Sequence, residues 1–342
     1  MGKKKEKIYN HYVPQFYLRN FSGNNSIGVY NFDIKKFIDK AAIRNNAGRD
    51  FLYGHDTDLE NWFQNLEGKW ATVINKILQN NKISEDSTEY TYLLMFIYLS
   101  DARVAEQADA FKQHKLEEGK SFAKMMVEQG KINLSNEDID NLDVNIERPN
   151  LVYMKGMEKI INVMSDLCPL IIVNESDIGF ITSDVPVAKY NQWFLERKYK
   201  HPYGFGHIGF QCFVPLSSRI CLCLYDDIAY RNLLGNKDRI RLYSKTNVEA
   251  LNKLFLHNAY KEIYYENSAR IWLQENVGQK KDKEVDDWGM GNPKTGYLQK
   301  FSGRSVYEDI NLNIFKTDAY FKKFPIMYDE AGPIRRGVRD ML

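Results

Sequence analysis

Apolar residues recur along this chain with two different periods, and the change between them divides it. From Thr57 onward, Leu59, Trp62, Phe63, Leu66, Trp70, Val73, Ile74 and Ile77 repeat at helical spacing, which predicts an amphipathic helix over 57–80. Thr57-Asp58-Leu59-Glu60 has the form of a capping box at its start. A second long helix is expected from near Asp86 to about Gly119, and its stretch Leu93–Leu99 is apolar all round, as a helix buried on every side requires. Further helices are expected at 121–129 and 150–167, separated by an acidic loop over 136–147.

After Cys168 the period becomes extended. Leu170–Val173, Gly179–Thr182, Ile208–Val214 and Ile220–Leu224 are short β-branched or aromatic runs bounded by turn residues. Residues 247–265 return to helix, and the last sixty or so read as irregular. Near the start, Pro14 can open a short helix whose apolar side is Phe16, Tyr17, Leu18 and Phe21. Ile27–Phe32 then reads as a strand, with a polar turn at Asp33–Lys36 before the next one. Asp33-Ile34-Lys35 has the acid-x-Lys spacing of many metal nucleases, but the turn accounts for it, because no acid lies at a suitable distance upstream.

These elements predict an α+β fold: a block of about five helices packed on a small, mostly antiparallel sheet. Residues 1–275 form one domain in this reading and 276–342 an irregular extension packed on it, with a boundary near 168 as the alternative. Aromatic residues make up 13% of the 342, which argues for a packed core and against disorder. The apolar runs fall far short of the ~20 residues needed to cross a bilayer. With no signal-peptide core either, a cytoplasmic protein is expected. Cys221 and Cys223 alternate, so they share one face of a strand, and no cysteine spacing has the zinc pattern.

The formal net charge is only +2, so any anionic partner must be met by a local patch. Basic residues gather at Lys3–Lys5, Arg197–Lys200, Lys237–Lys245, Lys280–Lys283 and Arg335–Arg339, mostly among acids, as on solvated faces. The polar residues hardest to dismiss lie elsewhere. Glu60 and Glu67 are two helical turns apart on one line, at the edge of the Trp62/Leu66/Trp70 stripe. Carboxylates there could hold a divalent cation or perform acid–base work, although capping alone explains Glu60. Asp101 and Arg103 close the wholly apolar helix, where a charge must find a partner; an ion pair with another element is the ordinary answer and an anion ligand the sharper one. His11 has the imidazole that suits proton transfer near neutral pH. Thr182-Ser183-Asp184 ends a predicted strand, where it could face a site or simply form a turn.

His11-Tyr12-Val13-Pro14-Gln15-Phe16-Tyr17-Leu18-Arg19-Asn20-Phe21 resembles the opening motif of the domain of unknown function 4238 family. Phe180-Ile181-Thr182-Ser183-Asp184-Val185-Pro186-Val187, followed by Pro215-Leu216-Ser217, is similar to that family's second hallmark. Phe51-Leu52-Tyr53, Glu60, Glu67 and Arg103 match more loosely, since the family's Arg is closely followed by Pro and here Val104-Ala105 follows Arg103. The resemblance covers roughly residues 8–265 and implies a shared fold in an intracellular bacterial family without a settled activity. Its motif positions place a site at His11, Gln15, Arg19, Glu60, Glu67, Arg103, Thr182, Ser183 and Asp184.

Two functions are compatible with these residue types. One is a phosphodiester hydrolase of nuclease type acting on nucleic acid or a nucleotide, in the setting of a defence or toxin-type effector. There His11, Glu60, Glu67 and Asp184 would be catalytic, and the carboxylates would activate water or hold magnesium or manganese. Gln15, Arg19, Arg103, Thr182 and Ser183 would bind substrate, the arginines against its negative charge. The other is a non-catalytic interaction protein whose buried charges form a structural polar network.

Overall fold

The computed structural model describes residues 9–22, 25–50, 57–146, 151, 154–194, 204–234 and 237–281. It also describes the backbone at 285–291 and 298–304 and single positions at 310, 312, 314, 315, 335 and 338. Lys3–Lys5, Phe51-Leu52-Tyr53, Arg197–Lys200 and the side chain of Thr57, hence the expected Thr cap, lie outside the described residues.

The chain runs β1 (Tyr9–His11), α1 (Gln15–Arg19), β2 (Ser26–Asn31), β3 (Lys36–Ala42), β4 (Gly48–Asp50), α2 (Thr57–Asn80), α3 (Ser87–Ala102), α4 (Ala105–Glu128), α5 (Asn136–Asp140) and α6 (Met157–Met164). Then follow β5 (Cys168–Asn174), β6 (Thr182–Ser183), β7 (Ala188–Tyr190), β8 (Gln211–Pro215), β9 (Ile220–Tyr225), α7 (Asp227–Leu234), β10 (Arg239–Leu242), α8 (Lys245–Asn258), β11 (Glu262–Tyr265), α9 (Arg270–Asn276), β12 (Val285–Gly291) and β13 (Leu298–Arg304). The fold is α+β, with small, mostly antiparallel sheets beside a helical block.

A five-stranded sheet in the order β10-β5-β9-β8-β7 lies at the centre, antiparallel except for the β10–β5 pair. Both of its faces are covered, so alternate residues of one strand enter different cores. Ile171, Val173, Leu222 and Leu224 pack with Trp70, Phe96 and other residues of α2 and α3. Leu170, Ile172, Cys221 and Cys223 pack with Phe255 of α8 and with Phe315. Burial pushes the thiols of Cys221 and Cys223 far up, so they behave as inert apolar groups. A second sheet, β3-β2-β11-β6, and the short pair β1–β4 complete the part that carries α1.

Local side-chain chemistry fixes some element ends. Asp86 caps α3 by accepting the N–H groups of Thr88 at 2.7 Å and Glu89 at 3.1 Å. The β2–β3 turn is held by Asn31 Oδ1, which accepts from Asp33 and Ile34, while Lys35 takes a left-handed φ of 52°. From Phe63 onward the stripe of α2 is buried as its period requires, whereas Leu59 is half-buried and Trp62 sits at the stripe's edge, 40% exposed, and rests edge-on against Phe63.

Four expectations are corrected. The helix expected to run from Asp86 to Gly119 breaks at Arg103 and Val104, whose ψ of 152° is extended, and α4 then continues through the helix expected at 121–129. The break frees Arg103 to reach sideways, as described below. The acidic loop after residue 135 contains α5, nucleated by a Ser135/Asp138 capping box. The helix expected to reach 265 stops at Asn258, and Ile263, Tyr264 and Tyr265 form β11 between β2 and β6, where their β-favouring side chains are buried. The extension, expected to be irregular, contains the antiparallel ribbon β12–β13. Its Ile310, Leu312 and Phe315 enter the second core, with Phe315 against the rings of Phe213, Tyr225 and Tyr230.

Candidate functional site

Five of the nine expected site residues line one cleft of about 400 Å³. β1 and α1 supply His11, Gln15 and Arg19, and α2 supplies Glu60 and Glu67. Gln15 and Arg19 share a helix face through i, i+4 spacing, while Glu60 and Glu67 stand about 10 Å apart along α2. Phe16 and Phe63 form apolar wall, and Gly68 keeps the cleft open, since no atom lies within 4 Å of where its Cβ would be.

The α1 side is a directional hydrogen-bond relay. Arg19 Nη2 donates to Gln15 Oε1 at 3.0 Å, and Gln15 Nε2 contacts His11 Nδ1 at 3.4 Å. His11 Nε2 lies 3.1 Å from the carbonyl of Arg44. A carbonyl can only accept, so Nε2 carries the proton and Nδ1 presents its lone pair on the Gln15 side. Tyr9 meets His11 edge to face, and its ring covers Gly48, where a Cβ would come within 2.3 Å of it.

The α2 side is fixed from below. Arg103 has no solvent exposure and donates from Nη1 to Glu67 Oε1 at 3.1 Å. Its guanidinium also lies over the rings of Phe63 and Trp70, 5.2 and 5.5 Å from their centroids. Arg103 therefore acts on the cleft through Glu67 and does not line it. Asp101, the other charge of that helix end, pairs with Lys189 at 2.7 Å.

The structure does not bring the remaining three residues to this cleft, and their polar atoms are engaged within the fold. Tyr17 has one hydroxyl proton and gives it to the carbonyl of Pro215 at 2.6 Å, so Thr182 must donate to Tyr17 across their 2.7 Å contact. Ser183 Oγ accepts from the N–H of Val185 and donates to its carbonyl, closing a turn. Asp184 is buried and accepts backbone N–H groups of Tyr260 and Lys261 at 2.9 and 2.7 Å. Burial outweighs those two donors and raises its carboxyl to about 7, with the charges of Glu262 and Glu106 adding to the rise.

The donors do not fit a divalent cation held by Glu60, Glu67 and Asp184. Among the described residues no three His, Cys, Asp or Glu side chains are grouped to hold a metal, and Glu67 is already engaged by Arg103.

Asn10 and Gln64 also line the cleft and were not singled out by sequence. Gln64 was findable, lying one turn from both Glu60 and Glu67 on the same face, and it contacts Glu60 at 3.4 Å. Asn10 gave no signal. It is 6% exposed, and its Oδ1 meets no donor among the described residues.

Fold and cleft together define an α+β protein with a His/Gln/Arg wall facing a Glu/Gln helix. The chain belongs to the family described as protein of unknown function (DUF4238), whose model matches residues 9–269. No curated protein and no solved structure matched the chain. Among the described residues, no helix is long and apolar enough to cross a membrane.

Proposed function

We propose that this protein is a phosphodiester hydrolase of nuclease type, acting on nucleic acid or a nucleotide in the cleft between α1 and α2. The observation that carries this reading is the tautomer of His11. Donation from Nε2 to the Arg44 carbonyl leaves Nδ1 as a base, and the 3.4 Å contact from Gln15 is long enough for water or a substrate hydroxyl to replace it. In this mechanism Nδ1 takes the proton of the attacking water as its oxygen bonds to phosphorus, and the P–O bond to the leaving alcohol breaks with that oxygen taking a proton from solvent. Glu60 orients the water, and Arg19 meets the charge growing on the phosphoryl group. Arg103 holds Glu67 as a fixed charge on the opposite wall. No step is assigned to a metal. A role as a defence or toxin-type effector is the biological setting such an activity would serve.

A rival reading is binding without chemistry. It is favoured by the relay from Arg19 through Gln15 and His11 to the Arg44 carbonyl, which is closed without any substrate.

One experiment separates them. The full chain is assayed against single-stranded RNA, single-stranded DNA, dinucleotides and an activated phosphodiester, alongside His11→Ala and Glu60→Gln. Catalysis predicts turnover on at least one substrate, with kcat lowered by roughly 10²-fold or more in each variant and little change in unfolding midpoint. Absence of turnover, or variants as active as the parent, overturns the hydrolase. Loss of several kcal/mol of stability in His11→Ala without any parent activity would make the relay a structural brace.

A further inference from the structure

A second and larger concavity, about 680 Å³, lies apart from the His11 cleft. Its walls come from the end of α1 at Asn20, the end of α2 at Leu78 and Asn81, the segment after β5, the β8–β9 turn and β10. β5 and β10 are the parallel pair of the central sheet, and the groove opens at their carboxyl ends, past Asn174 and beside Arg241. The volume falls within the range of small-molecule sites, but the walls are mostly polar, so an occupant must carry several hydrogen-bonding groups.

The donors are held in place and incompletely used. Arg219 sits in the tight β8–β9 turn, where Leu216 and Ser217 both donate backbone N–H groups to the carbonyl of Ile220. Its Nη1 is tethered to the carbonyl of Ser176, and among the described residues this is the one bond its guanidinium makes. Arg241 is likewise tethered through Nη1 to Glu175, which leaves the rest of its fork unused among the described residues. Ser217 Oγ accepts the N–H groups of Arg219 and Ile220, leaving its own proton to donate. The side-chain nitrogen of Asn20 is shielded from solvent and has no acceptor among the described residues. A shielded amide without a partner is costly in an empty fold and is satisfied when a ligand oxygen reaches it.

The acceptors narrow the class. Glu175 and Asp177 share the wall with the two arginines, so a bare polyanion would meet two carboxylates as well as two guanidiniums. A molecule with one phosphate and several hydroxyls avoids that conflict: guanidinium forks match phosphate oxygens, and carboxylates accept from hydroxyls. We propose that this groove binds a small phosphomonoester, a sugar phosphate or a nucleotide, with its phosphate against Arg219 and Arg241 and its hydroxyls toward Glu175 and Asp177. The site is independent of the hydrolase reading and shares no lining residue with the His11 cleft.

The test is calorimetric titration of the full chain with ribose 5-phosphate, adenosine 5′-monophosphate, inorganic phosphate and ribose. Saturable binding of one or both phosphomonoesters is expected, tighter than inorganic phosphate, with no binding of ribose. Whichever of the two binds more tightly assigns the site to a sugar phosphate or to a nucleotide. Arg219→Gln and Arg241→Gln should each weaken binding by about tenfold or more, Arg219→Lys should weaken it less than Arg219→Gln, and His11→Ala should leave it unchanged. Because Arg219 also tethers its own turn, Arg241→Gln on the exposed sheet edge carries the result if Arg219→Gln fails to fold. No binding at millimolar concentration, equal binding of ribose, or full binding by Arg241→Gln would overturn the proposal.

Discussion

Arg103 reaches Glu67 across 3.1 Å from a position with no solvent exposure, joining the break between α3 and α4 to the middle of α2. The pair ties the helical core to the floor of the candidate cleft. The break gives the guanidinium at the end of a wholly apolar helix the carboxylate it needs within reach. Arg103→Met should therefore cost about 1.5–3 kcal/mol, the range of a hydrogen bond to a charged group, since Glu67 is 27% exposed and water can reach it, with the lost ring contacts included. Arg103→Lys should recover only part of that, because an ammonium cannot reproduce the planar fork over Phe63 and Trp70. Urea unfolding of the three proteins measures both differences, and near-equal midpoints would contradict this account.

Tyr17 and Thr182 lie 165 positions apart and share a buried hydroxyl contact, with Pro215 accepting the Tyr17 proton. Tyr17→Phe strands two buried polar groups and should lose about 1–3 kcal/mol. Thr182→Val removes only the donor to Tyr17 and should cost less. The combined variant should fall short of the sum of the two, because the contact can be lost only once. Strict additivity in thermal or chemical unfolding would show that the two hydroxyls do not interact.

Asp184 sets a pH dependence whose sign follows from its environment. Burial raises its folded carboxyl to about 7, whereas the unfolded value is about 3.9. The folded chain thus holds a proton that the unfolded chain has released. The resulting stabilisation is complete below about 3.9 and is lost as pH rises through about 7. The stability of the parent relative to Asp184→Asn should accordingly fall from pH 4 to pH 8. A relative stability that stays constant or rises over that window in denaturant titrations would refute the assignment.

Arg335 lies in a basic run of the kind expected on a solvated face, yet its side chain is 3% exposed. Nε and Nη2 form a fork on Asp166 at 3.1 and 2.7 Å, and further bonds run to the carbonyls of Val163, Phe205 and His207. Arg335→Met should lower stability by about 3–5 kcal/mol and hasten proteolytic removal of the chain's end. Unchanged stability and unchanged proteolysis would mean that this socket anchors nothing.

Periodicity along the chain was enough to determine that it is α+β, that α2 runs from Thr57, and that Glu60 and Glu67 face the same way, because a helix repeats every 3.6 residues whatever it packs against. It was enough, too, for Cys221 and Cys223 to share a face, since a strand alternates with period two. The β11 strand was not legible, because Ile263-Tyr264-Tyr265 suits either element until β2 and β6 offer a place to pair. The separate fates of the polar residues belonged to the tertiary structure alone. Residue type marked His11, Glu67, Arg103 and Asp184 alike as groups that need partners. Only folding decided that His11 and Glu67 face a common cleft, that Arg103 supports it from inside, and that Asp184 is spent on the backbone of Tyr260 and Lys261. A hydrogen-bond partner tens of positions away leaves no period in the chain, so no local pattern could have announced it.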